Sequence, residues 1–254
     1  MTLRGAFIPE CNVALFLDVD GTLLEIAATP DAVKVPAALR NTLQLAAARE
    51  AGALALISGR SILELDKLFA PCEFPAAGLH GLERRDAHGH VTRPDVDVEA
   101  LRPARETLTR LQATHTGLLL EDKGIALALH YRRAPRLEGM VMDIMQTLAA
   151  PLQNQFVVRA GKCVLELAPR GYSKRTAIEA FMRERPFATR TPVFVGDDVT
   201  DEDGFEAVNA MGGCSIRVGS SGATLARYTF GSVTAVVAWL RERNLNLHLS
   251  GIQR

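Results

Sequence analysis

The sequence is poor in cysteine, in lysine and in net charge, and it has no long apolar run. Its four cysteines, Cys11, Cys72, Cys163 and Cys214, stand 61, 91 and 51 residues apart. No CxxC pair or Cys/His cluster occurs, which argues against a zinc site and against a disulfide-stapled scaffold. Scattered free thiols fit a reducing compartment. Lys+Arg number 29 and Asp+Glu 29, so no global field draws the chain to nucleic acid or to an acidic membrane surface. No uninterrupted apolar segment approaches the roughly 20 residues of a membrane helix. Met1–Glu10 has no apolar stretch long enough for a signal peptide. The expectation is a soluble, cytoplasmic protein with neither nucleic acid nor membrane as partner. Internal repeats and low-complexity segments are absent as well. Among the 29 basic residues only five are lysines, at 34, 67, 123, 162 and 174, so a lysine inside a motif stands out.

What is present points to an α/β protein. Hydrophobic residues make up 48% and charged residues 23% of 254 residues, near globular averages and enough for one large or two modest domains. Val13–Leu17 is apolar throughout, as befits a strand buried on both faces of a parallel sheet, and charge appears abruptly at Asp18. Pro36 opens a helical pattern that Gly52 stops, Ala53–Ile57 reads as a second buried strand, and a helix follows over about 61–69. After Ala77 the rhythm changes. Polar, glycine-punctuated sequence leads to a helix near 99–114 and strands near 118–121 and 125–131 around Asp122-Lys123-Gly124. A helix near 137–149 and strands near 156–159 and 164–167 follow. Strand–helix alternation resumes at Ser173. The predicted architecture is a Rossmann-like parallel-sheet core, residues 1–80 and 171–254, interrupted by an α+β cap, residues 81–170.

Four polar motifs fall at strand ends or helix starts of the core, the edge where open α/β sheets bind ligands. Asp18-Val19-Asp20-Gly21-Thr22 pairs two carboxylates one residue apart, with a glycine for the turn and a hydroxyl that can bond an anion. Ser58-Gly59-Arg60 offers a hydroxyl and backbone N–H groups suited to phosphate. Lys174 begins a helix, and Gly196-Asp197-Asp198 with Asp201 ends a strand in acid. Each alone also reads as ordinary capping or a solvated helix end. All four in one order favour a single site.

That ordered set resembles the signature of the haloacid-dehalogenase-like phosphatases. The resemblance implies Asp18 as nucleophile forming an aspartyl phosphate, Asp20 as general acid and base, and Ser58 and Lys174 as holders of the phosphoryl oxygens. It further implies Mg²⁺ held by Asp18, the Asp20 carbonyl and Asp197, with Asp198 and Asp201 orienting its waters. Lys174 stands 116 positions after Ser58, and the segment between them occupies the place of a type 2, specificity-giving cap. Gly52–Arg60, Ala77–Arg85, Leu127–Arg132, Gly161–Glu166 and Val195–Asp203 are similar to stretches of the trehalose-6-phosphate phosphatases, a likeness running from about Val13 to Trp239. It implies trehalose 6-phosphate as small-molecule substrate and a separate trehalose-6-phosphate synthase as functional partner. Glu121, Lys123 and Glu166 would grip the distal glucose, and Thr22, Gly59, Arg60 and His80 would contact substrate. A lone histidine such as His80 or His130 is as often packed as liganding. One departure is Arg175, where the family places glycine after the catalytic lysine. Alternatives are a related phosphatase acting on another sugar phosphate or phosphoglycerate, a phospho-accepting signalling domain, and a non-catalytic sugar-phosphate sensor.

Overall fold

The computed structural model describes residues 11–26, 33–161, 163–219 and 222–250, with side chains as far as 245. Met1–Glu10, read above for a leader, and Lys162 lie outside the described residues. Two compact units emerge: the chain up to Arg93 together with the chain from Tyr172, and Pro94–Gly171 between them.

The first unit is built on strands β1 (Val13–Leu17), β2 (Leu54–Ile57), β3 (Ala76–Gly78), β4 (Glu83–Arg85) and β5 (Val91–Thr92), with helices α1 (Ala37–Arg49) and α2 (Ile62–Phe69) between the first three strands. After the inserted unit come α5 (Lys174–Phe181), β10 (Thr191–Gly196), α6 (Glu202–Ala210), β11 (Cys214–Val218), β12 (Tyr228–Phe230) and α7 (Val233–Ser250). The sheet order is β12-β11-β10-β1-β2-β3-β4-β5. Pairings from β12 through β3 are parallel, whereas β3, β4 and β5 pair antiparallel. Chain order therefore reverses between β1 and β10, which run in register from Val13 opposite Thr191 to Leu17 opposite Val195. Beyond the carboxyl ends of these two strands the flanking connections diverge and leave a crevice.

Both faces of the sheet are buried, which explains why its strands are apolar without alternation. Leu15, Leu17, Leu54, Leu56, Val193 and Val195 pack with Leu39 and Leu43 of α1, Leu65 and Phe69 of α2 and Leu240 of α7. Phe16, Ala55, Ile57 and Phe194 face the opposite layer, with Ile178 and Phe181 of α5, Phe205 of α6 and Phe187. Phe16 and Phe187 stack with centroids 5.5 Å apart. Truncating one such buried phenylalanine typically destabilises by about 3–5 kcal/mol.

The boundary expected after residue 80 falls instead at Arg93. Residues 81–93 extend the core sheet through β4 and β5, which are too short and too polar to show a period. Their charges are absorbed within the unit: Arg85 forks onto Asp66 of α2 at 2.7 and 2.8 Å, and Glu83 accepts the Ile62 N–H that opens α2 at 2.9 Å. Beyond Arg243, α7 continues to Ser250.

The second unit contains α3 (Arg102–Thr114), β6 (Leu119–Asp122), β7 (Leu127–His130), α4 (Glu138–Ala149), β8 (Phe156–Gly161) and β9 (Val164–Pro169). Its sheet is antiparallel in the order β6-β7-β9-β8. Leu127, Leu129, Leu165, Leu167 and Phe156 pack against Leu108 of α3 and Val141 and Met145 of α4. By strand alternation Glu121, Ala128, Glu166 and Arg159 form a row on the other face. Among the described residues no helix is long and apolar enough to cross a membrane.

Candidate active site

The turn after β1 is closed by the Val19 carbonyl, which accepts the N–H groups of Leu23 and Leu24 at 2.9 and 3.0 Å. Gly21 sits in that turn with a φ of +84°. A Cβ there would overlap the Asp197 carboxylate, so both backbone angle and space require glycine. The turn from β1 and the loop from β10 thus meet at the crevice, bringing Asp18 and Asp197 together.

Lys174 arrives from a third direction. Ser173 caps α5: its N–H donates to Thr176 Oγ1 at 2.8 Å, and its side chain accepts the Thr176 N–H. Lys174 is thereby the first helical residue. Its buried Nζ donates to Asp18 Oδ1 at 2.8 Å and to Asp201 Oδ1 at 2.6 Å. The other oxygen of Asp201 accepts the N–H groups of Asp197 and Asp198 at 3.0 and 2.9 Å. Asp201 is therefore a fully buried brace that orients both the lysine and the acidic loop. Motif reading did not reveal that bracing; its signal was the Asp198–Asp201 capping box.

Asp18, Asp197 and Asp201 each offer a carboxylate oxygen within 4.8 Å of the others. Asp18 Oδ2, Asp197 Oδ1 and Thr22 Oγ1 are buried with no hydrogen-bond partner, a condition native proteins seldom tolerate without a ligand or water. Burial pushes the Asp18 carboxyl well above its ordinary value; Lys174 pulls the other way, and Asp201 and Asp197 add repulsion. Asp197 is pushed up to about 6 by burial and by repulsion from Asp201 and Asp198. For Lys174 burial acts downward, but Asp18 and Asp201 override it and hold the ammonium above its usual range. Negative charge exceeds positive charge here, and the oxygen-only donor set is of the kind a hard divalent cation takes.

Ser58 is buried at the end of β2, where its Oγ accepts the Arg60 N–H at 3.1 Å. Arg60 grips both oxygens of Asp20, Nε to Oδ2 at 2.6 Å and Nη2 to Oδ1 at 2.7 Å. His80, at a φ of +55°, lays its ring so close to Gly59 that a Cβ there would meet Cε1 at 2.7 Å. Asp198 accepts the Val199 N–H at 2.7 Å. Arg175 is turned to Glu206 of α6 and lies 3.8 Å from Glu179, so it salts the helix surface where the family pattern has glycine.

In the second unit Lys123 Nζ donates to Glu166 Oε1 at 2.8 Å, with both side chains about nine-tenths buried (9% and 10% exposed). His130 Nε2 lies 2.9 Å from Glu121 Oε2. That hydrogen bond lowers the Glu121 carboxyl, burial opposes it, and Lys123 helps. The sequence marked Glu121, Lys123 and Glu166 but left His130 without a role; its register on β7, two residues from Ala128, puts it on their face.

A parallel sheet with its reversal at β1 and β10, a buried aspartate–lysine–aspartate cluster at that point, and an inserted antiparallel unit define a haloacid-dehalogenase-type phosphatase with a cap. The trehalose-phosphatase family model matches residues 16–230, and the chain belongs to the trehalose-phosphatase family. It is 48% identical over 234 residues to the trehalose-6-phosphate phosphatase of Escherichia coli, covering 91% of this chain and 87% of that one. A probable trehalose-phosphate phosphatase of Sinorhizobium fredii is 44% identical over 210 residues, covering 82% and 78%. Among solved structures, the C-terminal domain of C. albicans trehalose-6-phosphate phosphatase superposes with a TM-score of 0.80 at 21% identity, over 93% of each chain. A Thermotoga maritima protein gives 0.66 at 15% identity, over 91% and 97%. At these identities the two structures speak for the fold.

Proposed function

We propose that the protein hydrolyses trehalose 6-phosphate to trehalose and inorganic phosphate through an aspartyl phosphate on Asp18. The carboxylate forms a bond to phosphorus as the bond from phosphorus to the sugar oxygen breaks, and Asp20 gives its proton to that oxygen. Water then attacks the aspartyl phosphate, Asp20 takes the water's proton, and phosphate leaves. Lys174 and Ser58 hold phosphoryl oxygens, with Thr22, the Gly59 backbone and His80 lining the same pocket. Such transfer is catalysed chiefly by positioning and charge stabilisation.

The partnerless buried oxygens of Asp18 and Asp197 fit Mg²⁺. Asp18, Asp197 and the Asp20 carbonyl would hold it, with Asp198 and Asp201 behind them. Bound there, it supplies the charge that offsets repulsion between a carboxylate and a phosphate dianion. The inserted unit acts as a specificity cap, where Glu121, Lys123 and Glu166 bond sugar hydroxyls. The substrate comes from a trehalose-6-phosphate synthase, and the four free thiols support a cytoplasmic setting.

The observation that carries this reading is Lys174 buried between Asp18 and Asp201 beside a partnerless Asp197 oxygen, in a chain nearly half identical to a named trehalose-6-phosphate phosphatase. Phosphate release from trehalose 6-phosphate, glucose 6-phosphate and sucrose 6-phosphate, with and without Mg²⁺, tests it. The expected result is at least 100-fold preference in kcat/KM for trehalose 6-phosphate, about 2.7 kcal/mol of discrimination, and no turnover after chelation. Equal rates on all three would remove the substrate, and turnover untouched by chelation would remove the metal.

A further inference from the structure

We propose that Arg60 is a positioning residue for Asp20: its guanidinium fork sets the direction in which Asp20 delivers its proton to the departing sugar oxygen. Asp20 as general acid, as given above, is the reading on which this rests. The fork spans both carboxylate oxygens at 2.6 and 2.7 Å, which fixes the plane of the group as well as its place. Among the described residues it is the sole side-chain bond to that carboxylate. Arg60 is itself anchored, its N–H on Ser58 Oγ at 3.1 Å and its carbonyl accepting the Leu79 N–H at 2.9 Å. The base of the fork thus belongs to the ends of β2 and β3, while its load hangs from the turn after β1.

The need for such a fork follows from exposure. The Asp20 side chain is 35% exposed and that of Arg60 13%, so packing holds the arginine far more firmly than the aspartate. An aspartate unsupported in an open turn samples several staggered rotamers. An ionised carboxylate has about four acceptor positions, so two fork bonds leave one on each oxygen for a proton. In the first step that proton passes to the sugar oxygen as the bond from phosphorus to that oxygen breaks and Asp18 bonds to phosphorus. The carboxylate left behind is the form the fork holds, ready to take a proton from the attacking water. Lysine cannot replace arginine in this task, since an ammonium is a point donor and cannot fix the plane.

The test separates substrates by their need for a proton. A sugar alkoxide leaves poorly unless protonated, whereas p-nitrophenolate leaves as a stabilised anion. First-turnover release of trehalose from trehalose 6-phosphate and of p-nitrophenolate from p-nitrophenyl phosphate is measured for wild type, Arg60→Met, Arg60→Lys and Asp20→Asn, with thermal melts. The first turnover is used because the later hydrolysis of the aspartyl phosphate is common to both substrates. Both Arg60 variants should lose about 30- to 100-fold on trehalose 6-phosphate, the scale of a misaimed general acid, and at least tenfold less than that on p-nitrophenyl phosphate, as Asp20→Asn should. Equal losses on both substrates, or raised KM on both with rates kept, would make Arg60 a phosphate clamp or fold brace and overturn the proposal. If Asp20→Asn shows the selectivity and neither Arg60 variant does, the positioning role alone falls. If Asp20→Asn lacks it too, the general-acid assignment falls with it.

Discussion

At the ends of β1 and β10 the core packs Asp18, Asp197 and Asp201 around one ammonium and leaves two carboxylate oxygens without partners. The cap treats its acids otherwise: Glu166 is closed by Lys123, Glu121 by His130 and Asp122 by Arg105. The first arrangement holds more acid than base. In the second, Glu166 and Asp122 each have a cationic partner and Glu121 an imidazole, and these bonds can be exchanged for those of uncharged hydroxyls without changing net charge. Chemistry on phosphate demands the one, and reading a neutral polyol suits the other.

The comparison breaks first if Asp18 can be spared. Asp18→Asn should lower kcat by about 10⁴-fold or more, the scale of removing a nucleophile, without lowering the melting temperature, because it removes one of several repelling charges. Phosphate release and a thermal melt check both parts. More than a tenth of wild-type turnover would end the assignment. Next in size is Gly21→Ala, which forces a Cβ onto Asp197 at a φ of +84°. About 100-fold loss of kcat is expected from misplacement, with a higher Mg²⁺ concentration needed for half-activation, read by metal titration. Loss with unchanged metal dependence would separate Gly21 from the cation.

Lys123→Met tests the cap. It strands the Glu166 carboxylate in a site where the pair is about nine-tenths buried, which should destabilise by about 3 kcal/mol and raise KM for trehalose 6-phosphate. Turnover of p-nitrophenyl phosphate should stay within threefold. Adding Glu166→Leu should restore the melting temperature but not KM; restoration of both would mean the pair serves stability alone. The smallest effect is expected at Arg175. Because its side chain is tied to Glu206 and Glu179, Arg175→Gly should change kcat/KM by less than tenfold. A thousandfold change in steady-state assays would give it a direct catalytic part.

The parallel core and its motif positions could be read early because buried parallel strands need unbroken apolar runs and because catalytic loops begin where those runs end. Val13–Leu17 matched β1 residue for residue. The run 81–93 could not be read in the same way. With three residues in β4 and two in β5 no period develops, and the charges of Glu83 and Arg85 are met by α2 and that of Arg84 by Glu184. Helical spacing likewise says nothing about where a surface arginine points, so Arg175 resembled an intruder until Glu206 was seen beside it.

From the order of residues alone one could know the alternation of strands and helices, the acids at strand ends and the lone lysine that joins them, since each depends on neighbours within a few positions. What folding in three dimensions added were the bonds across 27, 40 and 156 residues: Lys174 to Asp201, Arg60 to Asp20, and Lys174 to Asp18. Those bonds depend on which strands lie side by side, and hydrophobic burial of both sheet faces, not local preference, chooses that arrangement.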